Sequence, residues 1–168
     1  MQVNRQAMKR IEIGQYDFGG TVDVMDPTFP KNVSPALYIN SMPIRSGKYT
    51  AVVWKQKRKG HDAEGKEAEY RINGVLGIYL NGEIPTQRAM TFYRQIAVDS
   101  GMAGFFNREE CLNDDEWDEL MNLHGSNAAW MLDYGALCES GFGDGTYNVF
   151  IHTTGNAGID AVEIRFID

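Results

Sequence analysis

Cysteine is scarce: Cys111 and Cys138 are the only two in 168 residues. They are too few for a disulfide framework and lack CxxC spacing, so reduced thiols in a cytosol are the expectation. No apolar run approaches the ~18 residues of a membrane helix, and the opening MQVNRQAMKR has no apolar signal core. Neither a membrane span nor secretion is therefore read, and the lone sequon Asn32-Val33-Ser34 carries no weight. Enzyme signatures are missing as well: there is no Walker A loop, HExxH, GxSxG or metal-ligand cysteine pattern. Gly141-Phe142-Gly143-Asp144-Gly145 looks like a dinucleotide loop but precedes a strand, so no helix N-terminus would meet a phosphate. Proline is sparse too, with five in all and four of them between residues 27 and 47.

What is present fits one globular domain over residues 1–168. Apolar residues make up 43% and charged residues 23%, which excludes disorder, collagen and a coiled coil. A chain of this length buries about 70% of its unfolded surface. The net charge of −7 argues against nucleic acid as a partner. Its distribution is uneven, with +6 in residues 1–60 and −13 in residues 61–168. Lys55, Lys57, Arg58 and Lys59 precede Gly60, Asp62, Glu64, Gly65 and Lys66, so a charged loop is expected near 55–69. Glu109, Glu110, Asp114, Asp115, Glu116, Asp118 and Glu119 form an acidic run that reads either as a docking face for a basic partner protein or as the wet side of a helix.

Strand patterns dominate. Lys9–Ile13 and Gly20–Met25 alternate, and Asp26-Pro27 ends the second. Residues 27–47 read as a long irregular connection. Tyr49–Trp54, Glu69–Leu80, Phe92–Val98, Tyr147–His152 and Ala161–Ile167 read as strands, the last two as an antiparallel hairpin. Asn81-Gly82 is a tight-turn signal. One helix is clear near 113–124: Asn113 and Glu116 form a capping box, Leu112 staples onto Trp117, and Trp117, Leu120, Met121 and His124 make an apolar stripe that Gly125 closes. Ala128–Leu132 extends the helix or opens a strand. Trp54, Trp117, Trp130, Phe105 and Phe106 read as core. A short echo, Ser46-Gly47-Lys48-Tyr49 and Asp144-Gly145-Thr146-Tyr147, leads into two strands, one expected in each sheet. The fold class is α+β and mostly β, an antiparallel sandwich or roll with one helix.

Three aspartates sit at strand ends: Asp26, Asp99 and Asp144. If the topology gathers them, their oxygens suit Ca²⁺ or Mg²⁺ and a hydrolytic water; otherwise each serves its own turn. With Tyr49 and Tyr147 beside the glycine turns, they form the candidate ligand-binding set. His61, His124 and His152 lack metal-site spacing. No cofactor motif is present, and a divalent cation is the one class such carboxylates suit.

Asp26-Pro27, Ser46-Gly47-Lys48-Tyr49, the segment from Ile96 through Val98-Asp99-Ser100-Gly101 to Phe105, and Gly141-Phe142-Gly143-Asp144-Gly145-Thr146-Tyr147-Asn148-Val149-Phe150 occur in that order. With the closing Val162-Glu163-Ile164 strand, the series resembles a bacterial family known as domain of unknown function 4241. Asn148 stands where that family carries proline. The resemblance spans roughly residues 20–167 and implies a β-rich fold and a bacterial or phage origin; it brings no established catalytic residues. Its G-D-G-x-Y ending is also similar to that of toxin-immunity proteins. The leading expectation is a cytoplasmic, non-enzymatic binding protein of the immunity or inhibitor kind, with a protein partner. The alternative is a small-ligand or divalent-metal binding domain, a hydrolase in one form, built on the strand-end aspartates.

Overall fold

The computed structural model describes residues 3–30, 34–107, 113–123 and 128–167. Among the described residues, eleven strands make two antiparallel sheets, accompanied by one α-helix. The first sheet joins β1 (Lys9–Asp17), β4 (Lys48–His61), β5 (Glu67–Leu80), β11 (Ile159–Arg165), β10 (Gly145–Thr153) and β6 (Thr91–Val98), in that spatial order. The second joins β3 (Ile39–Pro43), β2 (Thr21–Met25), β7 (Met102–Phe106), β9 (Gly135–Glu139) and β8 (Ala129–Leu132). The mostly-β sandwich and its single helix, α1 (Asp114–Leu123), match the expected class. None of the described helices is long and apolar enough to cross a membrane.

Period-two alternation fills the space between the sheets. Tyr49, Ala51, Val53, Ile78, Val162 and Ile164 point from the first sheet into the shared core, against Val24, Ala103 and Phe105 of the second. Each sheet is covered on its outer face too. Val3 and Met90 lie over Val52, Trp54, Val75 and Tyr79. Leu120 of α1 packs with Met25, Met102 and Phe106 on the far side. Covering both faces explains why YTAVVW is apolar without alternation. It also explains why β7 and β9, each buried along its full length, carry no period-two signal and were not read as strands.

Several expectations change. The charged loop near 55–69 is instead the outer half of the β4–β5 hairpin, in register from Tyr49↔Leu80 to His61↔Glu67. The true turn is residues 62–66, where the Asp62 carboxylate accepts the Glu64 and Lys66 amides at 2.9 Å. Beyond Lys55 and Asn73 the two strands pair only with each other among the described residues. Apart from buried Ile72 at its base, this arm has no core face, so most of its side chains are polar or charged. Lys57 and Glu69 pair across it at 2.7 Å, half-exposed, which contributes little to stability. The irregular connection near 27–47 contains β3, and Ala128–Leu132 resolves as strand β8.

The α1 capping box forms: Glu116 N–H donates to Asn113 Oδ1 at 2.9 Å and Asn113 N–H to Glu116 Oε2 at 3.2 Å. Leu120 is buried, but Trp117 is 42% and Met121 39% exposed, so the expected core stripe narrows to one residue. Trp54, Phe105 and Phe106 are core, whereas Trp130 is half-buried. Cys138 is buried among the core residues. Cys111, the sequon's Asn32 and Val33, Glu109, Glu110, Leu112, His124 and Gly125 lie outside the described residues.

The sequence echo has a physical basis, although both copies lie in the same sheet, on β4 and β10. Tyr49 Oη donates to the Arg45 carbonyl and Tyr147 Oη to the Gly143 carbonyl, each at 2.7 Å and each four residues upstream. These are tyrosine corners, in which the phenol satisfies a turn carbonyl as the chain enters a strand. At Gly47, φ is +145°, a conformation that favours glycine. Burial, and secondarily the Asp160 charge, push the Tyr49 phenol up to about 12. Its folded pKa thus exceeds the ordinary value near 10. The contribution is complete below about pH 10 and is lost as pH rises toward 12. Tyr49→Phe is expected to lower the melting temperature at neutral pH by about 2–8 °C, from about 1–2 kcal/mol of lost hydrogen bonding. It is also expected to reduce the alkaline fall in melting temperature, both read by calorimetry across a pH series.

Candidate functional site

The topology does bring the three strand-end aspartates to one end of the sandwich. Asp26 ends β2, and its carboxylate reaches the β6–β7 turn that holds Asp99. Gly145 pairs with Val98, which places Asp144 just past the same end of the sheet. Their environments differ. Asp26 has no exposure, while Asp99 and Asp144 are exposed. Asp26 Oδ1 accepts the Thr28 amide, the Thr28 hydroxyl and the Ser100 hydroxyl at 2.7–2.8 Å. Its Oδ2 accepts the Asp99 and Ser100 amides, both at 2.8 Å. Five donors occupy the two oxygens, which leaves Asp26 no free position for a cation or water. It braces β2 against the turn before β7. Among the described residues no group of three or more His, Cys, Asp or Glu side chains is placed to hold a metal ion. Tyr49 and Tyr147 are the corner residues described above, with their hydroxyls directed at the chain's own carbonyls. His152 Nδ1 lies 2.5 Å from Asp160 Oδ1, an interaction within the β10–β11 hairpin.

A different set of residues forms the most developed site. On β11, Val162 and Ile164 fill the sandwich, so Glu163 and Arg165 face outward. The alternating VEIRFI pattern implies that this outward face meets water. Instead Glu163 has 0% and Arg165 7% exposure, because the N-terminal residues and the 84–88 loop lie over them. Glu163 Oε1 accepts from Tyr79 Oη at 2.7 Å and from Arg5 Nη1. Its Oε2 accepts from Arg165 Nε at 3.1 Å. Trp54 Nε1 donates to Tyr79 Oη at 3.1 Å, and Arg5 Nη2 to the Pro85 carbonyl at 2.6 Å. Both guanidinium groups stack on rings, Arg5 5.3 Å from the Trp54 centroid and Arg165 3.7 Å from that of Phe150. Gly77 makes the arrangement possible, since a Cβ there would strike the Tyr79 ring. Burial above all, and then the Glu163 charge, hold the Tyr79 phenol well above its ordinary range, so it remains a donor.

Two arginines share one carboxylate, which leaves a net positive charge in a dry environment. Their donors are not all used. Arg5 Nε and Arg165 Nη2 have no hydrogen-bond acceptor, although the two side chains are only 6% and 8% exposed. Arg165 Nη2 is 3.0 Å from Glu163 Oε2 as an ion pair without hydrogen-bond alignment. Leaving such donors unmet costs about 1–3 kcal/mol each. Both arginines line a cleft of about 1170 Å³, floored by Trp54 and Phe150 and rimmed by Arg88. A guanidinium pair with surplus positive charge beside a cleft suits a carboxylate or phosphate oxygen.

Sequence reasoning missed this site. The available signal was a Glu and an Arg two apart on a strand between apolar neighbours, facing a tyrosine and a tryptophan on adjacent strands. No family model, curated protein or solved structure matches the chain.

Asp26→Asn sets an amide against donors that need an acceptor. It is expected to cost about 3 kcal/mol and to lower the melting temperature by roughly 6–12 °C. Asp144→Asn, at an exposed turn, is expected to change stability by no more than about 0.5 kcal/mol. Thermal unfolding of the two variants checks the contrast.

Proposed function

We propose that this chain is a non-catalytic binding domain that holds the anionic group of a small ligand in the arginine cleft. One observation carries the reading: two guanidinium groups, with one positive charge left over after Glu163, line a cleft. The groups that could move protons are already committed. Glu163 is held between two arginines, and Tyr79 stays protonated against it. Binding of an anion is the chemistry that the surplus positive charge supports. This keeps the small-ligand alternative but moves it from the aspartates at the end of the sandwich to the outer face of the first sheet.

A second reading, an immunity- or inhibitor-like binder in the cytoplasm, is favoured by α1. Asp114, Asp115 and Glu116 stand in its first turn, and Trp117 and Met121 are exposed one helical turn apart. That surface suits a basic protein with an apolar contact.

Acetate added at constant ionic strength tests the cleft. The Trp54 indole N–H signal is expected to shift saturably in a proton–nitrogen correlation spectrum, with those of Trp117 and Trp130 unmoved. Arg88→Ala, at the rim, should weaken binding severalfold without changing the melting temperature. A Trp54 signal that stays in place with acetate and with inorganic phosphate would overturn the reading.

A further inference from the structure

We infer that the cleft's ligand is a small monoanionic carboxylate carrying a planar aromatic ring, an inference that rests on the anion-binding reading above. Charge sets the head group. Arg5 and Arg165 exceed Glu163 by one positive charge in the buried part of the cleft, and a carboxylate cancels that excess. A phosphate dianion would add one buried negative charge beyond neutrality, compensated only from the rim by Arg88. Unbalanced buried charge is costly.

The apolar shelf beside the arginines sets the body of the ligand. Phe150 lines the cleft and carries the Arg165 guanidinium on one face, 3.7 Å from its centroid. Phe92 is paired opposite it on β6, with ring centroids 5.9 Å apart at 73°. Phe92 is 53% exposed, a large apolar side chain kept in water next to a buried charge site. The shelf therefore runs from the guanidinium of Arg165 across Phe150 to the open surface at Phe92. A carboxylate drawn to the arginine pair would leave its substituent along this shelf, where an aromatic ring gains both buried area and ring–ring contact.

Titration calorimetry with acetate, phenylacetate, cyclohexylacetate and phenyl phosphate tests the inference. Phenylacetate is expected to bind about tenfold more tightly than acetate, and more tightly than cyclohexylacetate and phenyl phosphate. Phe92→Ala should remove most of the phenylacetate advantage while leaving acetate unchanged, and Phe92→Leu should restore only part of it. Because Phe92 is exposed, both variants should keep the wild-type melting temperature. Phenylacetate binding no better than acetate or cyclohexylacetate would overturn the aromatic assignment and leave the anion site standing. Tighter binding of phenyl phosphate would overturn the monoanion assignment. Failure of all four to bind would overturn the underlying reading of the cleft.

Discussion

Glu163 has no exposure to water, and a carboxylate in that position must be compensated or it will not stay charged. Compensation comes from three directions. Tyr79 supplies a hydroxyl from β5, Arg165 a guanidinium from the same strand, and Arg5 a second guanidinium from the N-terminal segment 158 residues away. The last interaction draws the chain's beginning over the outer face of the first sheet, where Val3 packs with Trp54 and Val75. A buried ion pair of this kind is not in itself a gain in stability. Its consequence is specific: one carboxylate anchors two arginines, and their surplus positive charge lies beside the cleft that both line.

The residues that looked most chemical in the sequence serve the fold. Asp26 directs all its acceptor capacity to Thr28, Asp99 and Ser100. Tyr49 and Tyr147 close two equivalent corners. These positions share a logic, in that a chain entering or leaving a sheet exposes backbone groups that a buried side chain must satisfy. Turn-rich motifs such as Asp-Pro, Val-Asp-Ser-Gly and Gly-Asp-Gly-x-Tyr are thus legible as chemistry but act as braces.

Local signals were readable where one effect dominates. The capping box at Asn113 and Glu116 specified its helix correctly because capping acts within a few residues, and alternation marked β2 and β11 as strands although both are buried along most of their length. Elements buried on both faces, such as β7 and β9, were silent because nothing alternates. The β4–β5 arm was read as a loop because its charged side chains need no core and only cross-strand pairing holds it. The Arg5–Glu163–Arg165 network was unreadable for a deeper reason. Glu163 and Arg165 look solvated in β11 alone, and only the tertiary return of residues 3–6, together with the 84–88 loop, makes that face dry.

The most direct test of the account is a side-chain proton–nitrogen correlation spectrum of the arginines, recorded free and with added formate. The account predicts Nε–H signals for Arg5 and Arg165 that exchange slowly with water, unlike that of exposed Arg10, and an Arg5 signal that moves saturably with formate. Arg5 and Arg165 signals that exchange as fast as that of Arg10, or that ignore formate, would contradict a buried arginine pair that carries surplus charge beside the cleft.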